Sequence, residues 1–432
     1  MSNNLPPVRF AICGVGHIGR RHAALVARHA GARLVALIDV RADLQPGLAV
    51  EFPGVPCFLS LDEYLARGPA ADVLTVATPN GLHAAQAVAG LRHGLHVVVE
   101  KPLALTTADA ETIVQTAQQT GRLVFGVMQN RYSPPAAWLK QVYDAGRLGD
   151  IYLVQLSCFW NRDARYYRPG DWRGTRALDG GTLFTQFSHF VDLLYWVFGD
   201  ISNISARFRD FNHAGLTEFE DSGLVTFDLV RGGSGTLSYS TAVWDRNLES
   251  SLTVVAARGS LRIAGQYLDR VEYCHLADYQ LPDLPPTNPA NHYGPFQGSA
   301  ANHVQVIDNV VDTVQQRSFA TTNALEGLKV VEIIERIYAL RQFQRTFKSI
   351  PNTSTAMQVI NSDPEILGGT PVFNGTRVPI KNLFDYLETG ETIAEFLDDF
   401  PSVAREQVLS VLAFSQQILN ASTQLLHENP AG

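Results

Sequence analysis

Val8-Arg9-Phe10-Ala11-Ile12-Cys13-Gly14-Val15-Gly16-His17-Ile18-Gly19 is the stretch whose reading decides the fold. A short apolar run of strand length feeds three glycines with dinucleotide-site spacing. Gly14 permits a tight turn out of the strand. Gly16 lets backbone approach a pyrophosphate, and Gly19 lets the next helix pack closely on the sheet. That helix reads from His17 to about His29, with Ile18, Ala23, Leu25 and Val26 on one apolar stripe. Its N-terminus offers free N–H groups and a favourable dipole to a phosphate.

Asp39 follows the next apolar strand, Arg33 to Ile38, and stands 20 positions after Gly19. A carboxylate there accepts the adenosine ribose hydroxyls and repels a 2′-phosphate, which favours NAD over NADP. Arg41, two residues on, weakens that preference slightly.

Strands and helices then alternate to about residue 125, as in a doubly wound parallel sheet. Val73-Leu74-Thr75-Val76-Ala77 runs into Thr78-Pro79-Asn80, and His83 opens the next helix. His96-Val97-Val98-Val99 runs into Glu100-Lys101-Pro102. Thr78, Asn80, Lys101 and Gln129 all stand at strand ends, where ligands bind in such sheets. After residue 150 the runs Ile151–Trp160, Ala206–Arg209, Gly223–Val230, Gly235–Val243 and Ser250–Ala257 predict a mostly antiparallel sheet. Helices are expected over Leu183–Phe198, Ser299–Val314 and Ala324–Leu340. The loop His292-Tyr293-Gly294 is either a surface turn or a substrate approach.

The chain of 432 residues is too long for one core, and 46% of it is apolar. The expected units are an NAD-binding domain over 1–125, an α+β substrate and oligomerisation domain over 126–345, and a small helical domain over 357–425. No run reaches membrane-span length, the N-terminus lacks a signal-peptide pattern, and the four cysteines are scattered. A cytoplasmic enzyme with no metal and no disulfide framework is the expectation. The net charge of −8 gives no sign of nucleic-acid binding.

Removing hydride from a secondary alcohol requires a base for the hydroxyl proton and a donor or positive group near the oxygen. Lys101 and His189 are the candidate catalytic pair, and the sequence leaves open which of them is the base. The segment from Asn161 to Arg176 interleaves Arg162, Arg165, Arg168, Arg173 and Arg176 with Tyr166, Tyr167 and Trp172. Such a cluster suits anionic groups and a flat ring. The alternative is a solvated, salt-bridged loop, and the functional reading is favoured for Arg173 and Tyr167 over the rest.

Residues 8–342 resemble the Gfo/Idh/MocA oxidoreductases. The matching motifs are Gly14 to Gly19, Thr78-Pro79-Asn80 with His83, Glu100-Lys101-Pro102, and Gly180-Gly181 followed by His189 and Asp192. Gln129-Asn130-Arg131-Tyr132, Phe159-Trp160-Asn161-Arg162 and Leu178-Asp179-Gly180-Gly181 are similar to the subgroup that oxidises UDP-N-acetylglucosaminuronate at C3. The resemblance implies NAD held by Gly14, Gly16, His17, Ile18, Gly19, Asp39, Thr78, Asn80, His83, Glu100, Lys101, Pro102 and Gln129. It implies a UDP-sugar held by Lys101, Tyr167, Arg173, Thr185, Gln186 and His189, in a homo-oligomeric enzyme of surface-polysaccharide synthesis. Alternatives are another sugar or inositol dehydrogenase, or an NAD-sensing regulator. Many relatives carry an acid four residues before the histidine, where this chain has Thr185. Asp192, on the same helix face as His189, is either a partner for it or a helix-capping or packing residue.

Beyond an expected linker at Gln342–Thr355 the character changes. Asn374-Gly375 reads as a hairpin turn, and Thr392 with Glu395 as a capping box. A third helix is expected over 404–419. Residues 357–415 resemble a domain of unknown function related to VapB-type antitoxins. Three bases face ten acids from residue 357 onward, which points to a protein–protein or self-association module rather than DNA binding.

Overall fold

The computed structural model describes residues 5–168, 170–349, 359–363 and 366–415. It forms two compact units, 1–338 and 339–432. In the first unit, β1 (Val8–Cys13), β2 (Ala32–Ile38), β3 (Cys57–Phe58), β4 (Val73–Val76), β5 (His96–Val99) and β6 (Val124–Gly126) make one parallel sheet ordered 3-2-1-4-5-6. The strand order reverses between β1 and β4, so the crevice at their C-terminal ends is the ligand position. Helices α1 (His17–Arg28), α2 (Gln45–Glu51), α3 (Leu61–Arg67), α4 (His83–Arg92) and α5 (Thr107–Thr120) connect the strands. β4 and the last three residues of β5 are wholly buried, which is why they read as unbroken apolar runs.

The helix α6 (Pro134–Asp144) leads to a second sheet of seven strands. These are β7 (Ile151–Phe159), β8 (Ile201–Arg209), β9 (Ser222–Leu229), β10 (Ser234–Ser240), β11 (Glu249–Ala256), β12 (Gly259–Ala264) and β13 (Arg270–Leu276), in the order 13-12-11-7-10-9-8. β7 and β10 run parallel and every other pair is antiparallel. Alternating burial along β10 marks one covered face.

Three helix expectations change. Leu183–Phe198 is not one α-helix: Leu183–Phe187 is a π-helical turn, and α7 (Ser188–Phe198) begins after it. A π turn hosts one extra residue per turn and re-aims the side chains around it. Ser299 and Ala300 belong to a hairpin of β14 (Ala290–Tyr293) and β15 (Phe296–Ala300), so α8 runs only over His303–Val314. Pairing of Ala300 with Ala290 overrides helix propensity there. α9 runs from Ala324 to Ser349, through the start of the expected linker. Gln342 to Ser349 contains no proline or glycine to stop it. α8 returns to the first sheet, where Val306, Ile307, Val310 and Val311 join the core of Val8, Phe10, Ile12, Val26 and Leu37.

In the second unit β16 (Ile360–Asn361) pairs with β17 (Val372–Phe373). The chain turns at Asn374-Gly375, and Phe373 N–H donates to the Val378 carbonyl at 3.0 Å. α10 (Ile380–Thr389) stops at Gly390, whose φ of 94° needs no Cβ. Thr392 and Glu395 form both halves of the capping box on α11 (Ile393–Asp399). A further helix spans 405–415, and the rest of its expected length lies outside the described residues. Phe373, Leu383, Phe396, Val403, Val408 and Val411 make this unit's core.

Candidate active site

The glycine turn is built as its spacing requires. Gly14 has a φ of 86°, and a Cβ there would come within 2.6 Å of the Ala77 carbonyl oxygen. A Cβ on Gly19 would meet the Gly14 carbonyl oxygen at 1.8 Å, so α1 packs against the turn with no room for a side chain. Gly16 caps α1 without a side-chain hydrogen bond, which leaves first-turn amides free for an anion. Asp39 Oδ2 accepts the Val15 amide at 2.8 Å and closes the loop onto β2. Arg41 pairs with the same carboxylate, Nε to Oδ1 and Nη2 to Oδ2, both at 3.0 Å. Burial opposes ionisation of Asp39, but Arg41 and the two amides outweigh it and hold the carboxyl below its usual value. The cradle fits a dinucleotide, and Arg41 already occupies the Asp39 carboxylate. The ring of His17 lies 4.8 Å from that of Tyr293, so the β14–β15 hairpin reaches the start of α1.

Two expected cofactor residues face inward. His83 is fully buried, with Nδ1 at 2.7 Å from the Pro102 carbonyl and Nε2 at 2.9 Å from that of Thr78. It ties the β4 and β5 ends together, and a neutral ring donates to only one of the two. Burial lowers its pKa. Glu100 takes His22 Nε2 at 2.7 Å and lies 3.5 Å from His303 Nε2. Burial opposes its charge, yet the two histidines hold its carboxyl well below the normal range. Thr78 bonds Gln86 at 2.6 Å. The Gln129 carbonyl accepts Asn302 at 3.2 Å, and its buried Oε1 has no partner among the described residues.

Lys101 and His189 do come together. Lys101 Nζ donates to the Thr185 carbonyl in the π turn. Burial pushes its pKa down to about 8, against the pull of Glu100 and Asp179. Burial and the nearby Lys101 charge drive His189 well below its ordinary value, so its ring is neutral and its Nδ1 has no partner among the described residues. Asp192 does not serve His189. Its carboxylate takes Arg131 in a fork, at 2.9 and 2.6 Å, because α7 turns that position toward Arg131 and α9. The Thr185 hydroxyl donates to the Asp179 carboxylate, and Asn80 Nδ2 donates to Thr185 Oγ1 at 2.7 Å.

The arginine–aromatic segment divides. Arg165 pairs with Asp163, and Arg176 donates to the Glu218 carbonyl. Arg173 pairs with Asp171 at 2.7 Å and stacks over Trp172 and Tyr166. Tyr167 is buried against Tyr166, His213 and Phe219. Gln186 donates to Tyr166 Oη at 3.0 Å and accepts Arg162 Nε at 2.8 Å. Arg162, given little weight in the sequence, is fully buried beneath Trp160, Tyr166 and Phe296 and pairs with no carboxylate among the described residues. His22, Asp179 and His303 were also not singled out. His22 lies one helical turn after Gly19, on the face that α1 buries. His303 gave no local signal because its partner Glu100 is far away in sequence, and Asp179 gave none because Gly174 and Thr185 close on it only once the loop has folded. The Cys13 thiol is buried and pushed up to about 12, so it is inert.

Family models agree with this architecture. Residues 8–127 match the Gfo/Idh/MocA model described as an oxidoreductase family NAD-binding Rossmann fold, residues 137–262 the Gfo/Idh/MocA C-terminal domain, and residues 360–415 a protein of unknown function, DUF433. The WlbA dehydrogenase from Bordetella pertussis, solved with NADH and UDP-GlcNAcA, is 31% identical with a TM-score of 0.70 over 78% of this chain and 97% of its own. WlbA from Chromobacterium violaceum, solved with the same ligands, is 29% identical with a TM-score of 0.68 over 79% and 96%. The scyllo-inositol 2-dehydrogenase (NADP(+)) IolW of Bacillus subtilis is 32% identical over 36% of this chain and 43% of its own. The first curated relatives are thus matched over less than two thirds of their own length. With the glycine cradle, the lysine at the end of β5 and the matched length of both WlbA enzymes, this chain belongs to the NAD-binding Gfo/Idh/MocA oxidoreductase family.

Proposed function

We propose that this chain is an NAD-dependent dehydrogenase of a sugar or polyol alcohol, and specifically of C3 of UDP-N-acetylglucosaminuronate, giving the 3-keto sugar nucleotide for surface-polysaccharide synthesis. The observation that carries this reading is Lys101 set beside a neutral His189 at the crevice end of β5. NAD, when bound, takes the hydride. The chain's own groups manage the proton. The Lys101 ammonium holds the substrate oxygen and stabilises the charge that develops on it. The uncharged His189 ring takes the hydroxyl proton. Arg173 and the Tyr166–Trp172 surface supply a cation over aromatic faces, which suits a uracil and a diphosphate. The likeness to WlbA supports the sugar nucleotide over a free polyol.

The test is reduced-cofactor formation against UDP-N-acetylglucosaminuronate, UDP-N-acetylglucosamine, free sugars and inositols, each with NAD and with NADP. Asp39 leads us to expect kcat/KM for NAD to exceed that for NADP by about tenfold or more. The uronate nucleotide is expected to be the best substrate. Faster turnover of a free sugar or inositol would remove the sugar-nucleotide reading, and a preference for NADP would remove the role given to Asp39.

A further inference from the structure

Thr185 stands where many relatives carry an acid, but the site does not lack one. Asp179 is fully buried ten positions before His189. Its Oδ2 accepts the Gly174 amide at 2.7 Å, and its Oδ1 accepts the Thr185 hydroxyl. Asn80 Nδ2 braces the same pair, reaching the Asp179 carbonyl at 2.8 Å and Thr185 Oγ1 at 2.7 Å. The Thr185 carbonyl in turn holds Lys101 Nζ. A continuous path therefore runs from carboxylate to hydroxyl, through one residue of the π turn, to the ammonium.

We propose that Asp179 is the positioning carboxylate of the reaction centre, acting through Thr185 to fix and keep protonated the Lys101 ammonium. This rests on the reading of Lys101 as the group that meets the substrate oxygen. Asp179 stands in the loop before the π turn, and through Thr185 its carboxylate reaches the lysine side of the site. Lys101 is faced by Glu100, Asp179, Arg162 and His189, and Asp179 by Lys101, Arg173 and Tyr167. Burial raises the Asp179 pKa to about 6, against the Thr185 hydroxyl, the Gly174 amide and the two cations. It is therefore charged at neutral pH and favours the charged lysine. Removing its charge leaves burial and Arg162 acting on Lys101 with only Glu100 opposing them.

The test needs no substrate, so its failure is separable from failure of the sugar-nucleotide reading. The full chain is labelled with acetic anhydride across pH, and the rate at Lys101 is read by mass spectrometry of its peptide. NAD binding and thermal unfolding are followed alongside. Asp179→Asn keeps an oxygen for the Gly174 amide and is expected to lower the Lys101 midpoint by about one pH unit. Thr185→Val is expected to move the midpoint the same way, and Thr185→Ser to restore it. An unchanged midpoint in a folded Asp179→Asn protein overturns the proposal. So does a Thr185→Ser protein that behaves like Thr185→Val. If Asp179→Asn does not fold, the Thr185 pair decides alone.

Discussion

Lys101→Met is expected to lower kcat by about three orders of magnitude, with NAD binding changed by no more than about twofold. Methionine keeps the length and apolar stem of the side chain but removes the charge. The Thr185 carbonyl then has no donor from Lys101, and the substrate oxygen loses the cation that opposes its developing negative charge. His189→Gln keeps a polar side chain but no proton acceptor of suitable basicity, and is expected to cost about two orders. Pre-steady-state NADH formation separates chemistry from product release. Near-normal turnover in either variant removes that residue from the mechanism. The pH profile also divides the two roles. Because the Lys101 pKa is pushed down to about 8, a wild-type rate that falls above that pH assigns the ammonium to the oxygen. A rate that rises there makes the amine the base. Either limb has to vanish in Lys101→Met.

Arg131→Met is the substitution expected to cost the most stability, about 3–5 kcal/mol. Arg131 is buried, forks onto Asp192, and donates through Nη1 to Glu326 at 2.9 Å and to the Thr321 carbonyl at 3.1 Å. Its guanidinium lies 5.3 Å from the Trp196 ring centroid. Burial opposes its charge, but Asp192 and Glu326 more than compensate and raise its pKa. Burial acts harder on Asp192, whose carboxyl stays raised even beside the guanidinium. Methionine would leave that carboxylate buried without a counter-ion. The double variant Arg131→Met with Asp192→Leu removes both buried charges and should recover most of the loss, to within about 2 kcal/mol of wild type. Urea unfolding measures both. A single variant as stable as the double one would mean that the pair does not hold α7 to the α6 and α9 side of the unit.

The first sheet was legible because β4 and most of β5 are buried on both faces and its first turn carries glycines at dinucleotide spacing. Gly14 and Gly19 announce their geometry locally. The capping box at Thr392 and Glu395 is equally local and formed as read. What the sequence hid depends on distance. Asp192 shares a helix face with His189, but Arg131, 61 residues away, claims it. The π turn at Leu183–Phe187 has no residue signature that separates it from the α-helix it precedes. The end of α9 was misplaced because no proline or glycine interrupts Gln342 to Ser349. In the candidate site, Lys101 and His189 were legible as motif positions. Asp179 was quoted only as the start of a glycine pair, and its link to Lys101 exists only once the loop before Gly180 folds inward.

Three histidines of the first unit, His83, His189 and His303, are sealed from water, and burial lowers the pKa of each. An unfolded chain has no such restraint and takes up protons below a pH of about 6.5. Between that pH and the lowered folded values, unfolding therefore binds protons that the native state refuses. Each histidine withdraws stability as the solution is acidified through that window, by at most about 1.4 kcal/mol per pH unit. Glu100 works in the same direction at lower pH, since its depressed carboxyl stabilises the fold above the ordinary carboxylate range and loses that contribution as pH falls through it. Urea midpoints taken at successively lower pH should drop steeply below 6.5, and a flat response would mean that the three rings are already protonated in the native protein. The burial that keeps the His189 ring uncharged thus also makes the stability of this fold sensitive to mild acid.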